Sequence, residues 1–341
     1  MVIRLTAVMF GLALMGPASA ANLRAYAGVV AGNAQGTGSI FACATSGPTI
    51  GNGWFAGISL PTEGFTACNL NGGIDDQQGP SGPLTASQSA TGPMATPGSS
   101  FTGSAQARSD YWSLGVAANG TATGGTSSST YHQAAAFASF TDTLTYQKAG
   151  IATGTAGWTN FAFLVEGLMS SAANPPYTQQ ADVQLSIRVN GKYIWDSFRA
   201  TVVNENLPYV RGGSTGLPGS FMSGPGSLSG SALVNSTANF EIQWGVPFTV
   251  EVALLTSVYP CCHGSSSSTD FLNTAVLKGI DAYGPGGQVT DFEVTAGSGA
   301  HIGPQGLAAV PEPGSWALVL GGLLVTGWGV RRRQMALQAA R

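Results

Sequence analysis

One stretch decides the fold: Val183-Gln-Leu-Ser-Ile-Arg-Val189, then Asn190-Gly191, then Lys192-Tyr-Ile-Trp-Asp-Ser-Phe198. Two alternating runs of apolar and polar residues flank a pair of residues that accept positive φ, which predicts an antiparallel hairpin with a type I′ turn. The alternation also predicts which side chains face the core and which face outward. The inward set is Val183, Leu185, Ile187 and Val189, and the outward set is Gln184, Ser186 and Arg188.

The same hairpin predicts which charged residues face each other. With Asn190-Gly191 as the turn, an unbroken register places Asp182 opposite Arg199. It also places Asp196 opposite Leu185. We therefore expect a cross-strand ion pair between Asp182 and Arg199, and no carboxylate pair between Asp182 and Asp196.

Other parts of the chain carry the same period-two signal, separated by clusters of Gly, Ser and Asn. The predicted strands are 111–118, 137–146, 158–166, 240–244, 248–257, 271–283 and 289–295. Only 9% of the 341 residues are charged and Gly numbers 49, a composition that favours β-structure with many turns over helices. We predict an all-β fold, an antiparallel β-sandwich of jelly-roll-like type with long Gly/Ser/Pro-rich loops.

The domain organisation follows from changes in composition. Residues 21–100 are interpreted as a loop-rich region that holds Cys43 and Cys68. Within it, residues 79–100 have hardly a large side chain and are predicted to be a Pro/Gly/Ser linker, because such a segment buries little apolar area. Residues 101–303 are predicted to form the β-sandwich domain.

The N-terminus carries a secretion signal. Arg4 supplies the positive charge, an apolar stretch follows, and Ala18-Ser19-Ala20 has the small-x-small pattern that signal peptidase reads. Its apolar core is about ten residues, whereas a spanning helix needs roughly 20. We predict a signal peptide over residues 1–20, cleaved after Ala20.

The C-terminus, residues 304–341, carries three features in a fixed order. Pro311-Glu312-Pro313 holds the chain extended, because proline fixes φ and keeps its predecessor out of the helical region. Residues 316–330 form an apolar run which, as a helix, would reach only about 22 Å, short of the roughly 30 Å hydrocarbon layer. Arg331-Arg332-Arg333 marks the cytoplasmic side of this short transmembrane helix.

This order closely resembles the PEP-CTERM sorting signal of Gram-negative bacteria that make exopolysaccharide. The resemblance implies that Pro311, Glu312 and Pro313 are recognised by an exosortase, a membrane-embedded transpeptidase. It implies a transient stay in the inner membrane, then release to the cell surface or the extracellular biofilm matrix. The chain departs from the family pattern in an extension, residues 334–341, beyond the arginines.

Three internal segments are similar to ones that recur in β-rich proteins with this tail. They are Phe140-Thr-Asp-Thr-Leu144, Asp270-Phe-Leu-Asn-Thr-Ala-Val-Leu277 and Phe292-Glu-Val-Thr-Ala-Gly-Ser-Gly299. This similarity favours a β-rich fold and implies no activity, because the family is defined by its sorting.

The four cysteines are expected to form disulfides after export, since the outside compartment is oxidising. Three pairings of Cys43, Cys68, Cys261 and Cys262 are possible, and we favour Cys43 with Cys68. The remaining Cys261-Cys262 would form a vicinal bridge or stay as two thiols. His263 beside Cys262 does not make a regular zinc spacing, so no metal site is predicted.

Charge and residue types restrict the function. Without five arginines of the two termini, eight bases face sixteen acids, which makes nucleic acid an unfavourable partner. The only histidines are His132, His263 and His301, and no nucleophile elbow or HExxH motif accompanies them. We name no catalytic residue.

Acidic pairs are the other route to chemistry. Asp75-Asp76, Asp182 with Asp196, and Glu241 with Glu251 are interpreted as solvated or structural. Asp75-Asp76 has oxygen ligands of the kind that Ca²⁺ prefers, but two carboxylates are too few to predict a calcium site, and no cofactor is predicted.

Tryptophans give a binding hypothesis. Trp112, Trp158, Trp195 and Trp244 lie on or beside predicted strands, where each is either part of the core or an exposed platform for a sugar ring. We expect an exported, non-enzymatic surface or matrix protein. The alternatives are a carbohydrate-binding module for exopolysaccharide and a secreted hydrolase.

Overall fold

The computed structural model describes residues 21–34, 72–93, 98–124, 131–172, 179–204, 206, 209–212, 221–236, 239–260, 264–273 and 275–307. The predicted signal peptide, the four cysteines and the predicted sorting motif lie outside the described residues. In this part of the chain every regular element is a strand, which confirms the predicted all-β class. No helix that is long and apolar enough to cross a membrane occurs among these residues.

The described strands number twenty and all their pairings are antiparallel. They are β1 (Asn22–Ala34), β2 (Gly72–Gly79), β3 (Leu84–Pro93), β4 (Ser100–Asp110), β5 (Ser113–Thr123), β6 (Tyr131–Gln147), β7 (Ala156–Ala172), β8 (Gln180–Val189), β9 (Lys192–Val203), β10 (Tyr209–Gly212), β11 (Met222–Gly224), β12 (Ser227–Asn235), β13 (Phe240–Gln243), β14 (Phe248–Tyr259), β15 (Ser265–Phe271), β16 (Val276–Gly284), β17 (Gly287–Val289), β18 (Glu293–Ala296), β19 (Ile302–Gly303) and β20 (Gly306–Leu307).

Most of these strands belong to two large sheets. The first sheet has the order β10-β9-β8-β14-β6-β1-β2, with β18 also paired to β6. The second sheet has the order β11-β12-β7-β15-β5-β16-β17; β4 pairs with β5 and β3 with β4, and β13 pairs with β7. Strands β19 and β20 form a separate hairpin.

The core lies between the two sheets. Phe140 of β6 meets Trp112, in the turn between β4 and β5, with ring centroids 4.8 Å apart. Phe198 of β9 meets Phe271 of β15 at 6.5 Å. All four side chains are buried in one apolar cluster. Face-to-face packing of this kind is consistent with the predicted β-sandwich, and the jelly-roll-like connectivity stays a prediction.

The hairpin formed by β8 and β9 confirms the predicted turn. Asn190 and Gly191 have φ values of 51° and 70°, as a type I′ turn requires. Val189 pairs with Lys192, but an irregularity beyond Ile187 shifts the register by two residues. Bulges of this kind are set by packing, and the sequence alternation does not reveal them.

The predicted pairing of Asp182 with Arg199 is therefore wrong. Asp182 lies opposite Thr201, whose hydroxyl donates to its carboxylate at 2.7 Å. The expectation that Asp196 opposes Leu185 is wrong for the same reason, because Leu185 pairs with Phe198.

Two residues of β8 that were predicted to face outward are also buried. Gln184 and Ser186 have no exposed surface, and the amide of Gln184 donates to the hydroxyl of Ser186 at 3.1 Å. They do lie on the opposite face from Leu185 and Ile187. Alternation predicts the side on which a residue lies, but not whether that side meets solvent.

The predicted linker over residues 79–100 is wrong where β3 forms. Leu84–Pro93 pairs with β4 along its whole length, from Leu84 with Ser109 to Pro93 with Ser100. Strands β1 and β2 likewise join the first sheet, next to β6. Small polar residues can be ordered here because the neighbouring strand satisfies their backbone groups, so a large apolar side chain is not needed.

A buried carboxylate joins separate parts of the chain. Asp142 of β6 has no exposed surface. It accepts hydrogen bonds from the indole nitrogen of Trp112 at 3.0 Å and from the backbone nitrogen of Thr143 at 2.8 Å. Ser298 donates both its backbone nitrogen, at 2.9 Å, and its hydroxyl, at 2.5 Å. Four donors therefore compensate the desolvated charge.

This carboxylate also brings together the three internal segments singled out in the sequence. Asp142 lies in the first segment and Ser298 in the third. The second segment reaches the same place, because the backbone nitrogen of Leu277 donates to the carbonyl of Trp112 at 3.0 Å. The three segments are therefore neighbours in space although up to about half of the chain separates them.

We expect Asp142→Ala to lower the free energy of unfolding by about 3 kcal/mol, because it leaves buried donors without an acceptor. Ser298→Ala should cost about 1 kcal/mol, because it removes a single donor. Urea denaturation followed by circular dichroism measures both. Glu293→Ala, at an exposed acid of β18, is the control, and an Asp142→Ala protein as stable as this control would contradict the assignment.

Candidate functional site

One large aromatic side chain is exposed on the outer face of the second sheet. Trp158 of β7 is 45% exposed, whereas its neighbours Gly157 and Thr159 are buried. Strand alternation explains this difference, because Phe161 and the other inward residues of β7 fill the core. Glu241 of β13 lies directly beside Trp158 on one side. Tyr283 of β16 lies beside it on the other.

Trp158 lines a groove of about 570 Å³, here called the Trp158 groove. Four polar residues also line it: Asn190, Asn239, Glu241 and Gln243. Hydrogen bonds hold Asn239 and Asn190 in place. Asn239 accepts from the side chain of Asn160 at 2.6 Å, and Asn190 accepts from the backbone nitrogen of Thr249 at 3.0 Å. The groove therefore combines an apolar ring with positioned polar groups, as ligand sites commonly do.

A second cavity, of about 510 Å³, is called here the Lys148 cavity. Its charged residues are Lys148, Asp291 and Glu293. Lys148 forms an ion pair with Asp291. The hydrogen bond that the Lys148 ammonium donates, together with its positive charge, lowers the pKa of the Asp291 carboxyl. Tyr146 lies in its wall with a buried hydroxyl 3.0 Å from that of Thr159, and burial raises the pKa of Tyr146.

The other tryptophans have different places. Trp112 and Trp244 are buried, with 0% and 1% of their surface exposed, so they belong to the core. The side chain of Trp195 lies outside the described residues. Trp158 is the exposed tryptophan that lines a groove, whereas the buried Trp244 contributes to the wall of the Lys148 cavity.

The acidic residues of Asp75-Asp76 already have protein partners. Asp76 forms a bidentate pair with Arg24, at 2.9 and 2.8 Å. Asp75 accepts from the amide of Gln77 at 2.6 Å and from the backbone nitrogen of Ser87 at 2.9 Å. Among the described residues, no three His, Cys, Asp or Glu side chains gather as they would around a metal ion.

The remaining candidate residues are not brought together. Glu241 belongs to the second sheet and Glu251, 4.0 Å from Arg188, to the first. His301 is exposed on the segment before β19. The side chains of Asp196 and His132, and the whole of His263, lie outside the described residues.

Comparisons with protein-family models, with curated proteins and with solved structures find no match to this chain. A fold by itself does not fix an activity, so the residues of the site and the sequences of the two termini carry the information on function.

We expect Trp158→Ala to lower the free energy of unfolding by about 1 kcal/mol or less, because the side chain is half exposed. Trp112→Ala should cost about 3–5 kcal/mol, because it opens a cavity in the core. Urea denaturation followed by circular dichroism distinguishes the two roles. Equal losses in the two variants would show that Trp158 is a structural residue and would remove the candidate site.

Proposed function

We propose that this chain is an exported, non-enzymatic protein of the cell surface or extracellular matrix, and that it binds polysaccharide through the Trp158 groove. The single observation that carries the binding part is the exposed indole of Trp158 in a groove lined by amides and a carboxylate. The export part is supported by the two terminal sequences.

The chemistry of the groove suits a sugar ring. One face of a pyranose presents C–H groups, which pack on the flat indole of Trp158, while its hydroxyls point to the sides. Asn239, Glu241 and Gln243 supply donors and acceptors beside the ring. Aromatic stacking together with lateral hydrogen bonds gives both affinity and orientation.

Binding without cleavage is proposed because of the acids that line the groove. Glycoside hydrolysis ordinarily needs two carboxylates that flank the scissile bond. The described lining of the Trp158 groove contains one carboxylate, that of Glu241. A secreted hydrolase therefore has no supporting pair of carboxylates in the described lining of the Trp158 groove.

Export is proposed to follow the order of the sorting signals. Signal peptidase would cut after Ala20, and the short apolar helix over residues 316–330 would hold the protein in the inner membrane. An exosortase would then recognise Pro311, Glu312 and Pro313. The released domain would reach the surface, where the cell's own exopolysaccharide is the nearest ligand of the proposed class.

Glycan binding is tested with the purified exported domain on a glycan array and by tryptophan fluorescence with purified exopolysaccharide. We expect binding by the wild type and at least a tenfold loss, about 1.4 kcal/mol, in Trp158→Ala. Leu233→Ala is the matched control, since Leu233 is 42% exposed on the same sheet but outside the groove. A silent array together with unchanged fluorescence would reject the binding proposal.

Sorting is tested separately in vivo. We expect a variant with Pro311→Ala, Glu312→Ala and Pro313→Ala to keep its C-terminal segment and to stay in the membrane fraction. Mass spectrometry of membrane, surface and medium fractions, from strains with and without an exosortase, makes the measurement. Unchanged processing of the triple variant would contradict the sorting proposal and leave the glycan proposal standing.

A further inference from the structure

The Trp158 groove and the Lys148 cavity lie at the same end of the sandwich. Strands β8, β14, β6 and β18 are consecutive neighbours in the first sheet. At this end of the sheet, β8 and β14 contribute to the Trp158 groove, and β6 and β18 contribute to the Lys148 cavity. Asn190, after β8, and Phe248, which begins β14, line the Trp158 groove. Gln147, which ends β6, and Glu293, which begins β18 and pairs with it, line the Lys148 cavity.

One turn separates the two cavities. Residues 244–247 connect β13 to β14, and this 244–247 turn contributes to both walls. Val246 and Pro247 line the Trp158 groove. Trp244 and Gly245 line the Lys148 cavity. The two cavities therefore share this turn as a common wall.

The 244–247 turn is fixed by backbone hydrogen bonds. Trp244 donates to the carbonyl of Thr155 at 2.9 Å and accepts from Gly154 at 2.8 Å, and Gly245 donates to the carbonyl of Tyr146 at 2.8 Å. The indole of Trp244 is buried beneath the turn and donates to the carbonyl of Tyr283 at 3.3 Å. The relative position of the two cavities is thus set before any ligand binds, which reduces the entropy lost on binding.

The Trp158 groove and the Lys148 cavity differ in chemistry. The first offers a stacking surface, amides and the single carboxylate of Glu241. The second offers charged and hydroxyl groups: Lys148 paired with Asp291, together with Glu293 and Thr153. Such groups suit the hydroxyls of a sugar that does not stack, because each can donate to or accept from an alcohol.

We infer that the two cavities are subsites of one site, and that the ligand is a stretch of polysaccharide several sugars long. This inference rests on the proposed glycan binding and adds the length of the ligand. A single sugar fills one cavity only, whereas a chain engages both. Engagement of the second subsite is then intramolecular, so affinity rises with chain length.

The test uses calorimetric titration of the purified exported domain. The probes are two neutral series of one to six sugar units, β-1,4-linked glucose and β-1,4-linked N-acetylglucosamine. We expect affinity to increase by about tenfold or more from the shortest to the longest member of a series that binds.

Variants assign the gain to the second subsite. Thr153→Ala combined with Glu293→Ala changes two exposed residues of the Lys148 cavity. We expect this double variant to lose the tenfold gain for long probes and to bind short probes as the wild type does. Trp158→Ala should weaken the binding of both short and long probes. Ser89→Ala, at an exposed site on β3, should change the binding of neither.

The outcomes separate the inference from the proposal on which it rests. Affinity that does not depend on probe length, or a double variant that binds long probes as well as the wild type does, overturns the inference. In either case glycan binding at Trp158 stands. A double variant that binds short and long probes equally more weakly than the wild type also overturns the inference. Failure of every probe to bind overturns the inference, whereas the proposed binding is decided by the glycan array and the purified exopolysaccharide.

Discussion

Much of this fold depends on the hydrogen bonds that the buried carboxylate of Asp142 accepts. The carboxylate of Asp142 is fully buried, and the loss of its contact with water needs compensation by hydrogen bonds. The compensation comes from Trp112 between β4 and β5, from Thr143 of β6 and from Ser298 after β18. Trp112 and Ser298 come from distant parts of the chain. Because both bind the carboxylate of Asp142, they fix the second sheet and the segment after β18 relative to the first sheet.

That constraint reaches the candidate site through β18. Ser298 follows this short strand by two residues, and β18 begins at Glu293 in the Lys148 cavity. The buried Trp112 stacks against Phe161 of β7 with ring centroids 5.9 Å apart. Trp158, three residues earlier on the same strand, faces the other way. The hydrogen bonds of Asp142 and the packing of the apolar core thus hold the strands whose outer residues form the groove.

Much of the fold could be predicted from local pattern. The hairpin at Asn190-Gly191 was correct because its turn chemistry is specified by two adjacent residues. The strand β3 was missed because its residues are small and polar, and its order comes from pairing with β4. The pairing of Asp182 was missed because a shift in register arises from packing along the whole strand. For the candidate site, the sequence indicated which tryptophans and acids to consider. It did not indicate which of them lie next to each other in the folded protein.

The sequence by itself determined the strand-forming class of the chain and the turn at Asn190-Gly191, because both depend on residues that are neighbours along the chain. The export signals proposed for the two termini were likewise inferred from local sequence alone. Only the tertiary structure decided that Trp158 is exposed while Trp112 and Trp244 are buried, and that Asp142 meets Ser298. The physical reason is that alternation assigns a residue to one face of a strand, whereas the packing of two sheets decides which faces are covered.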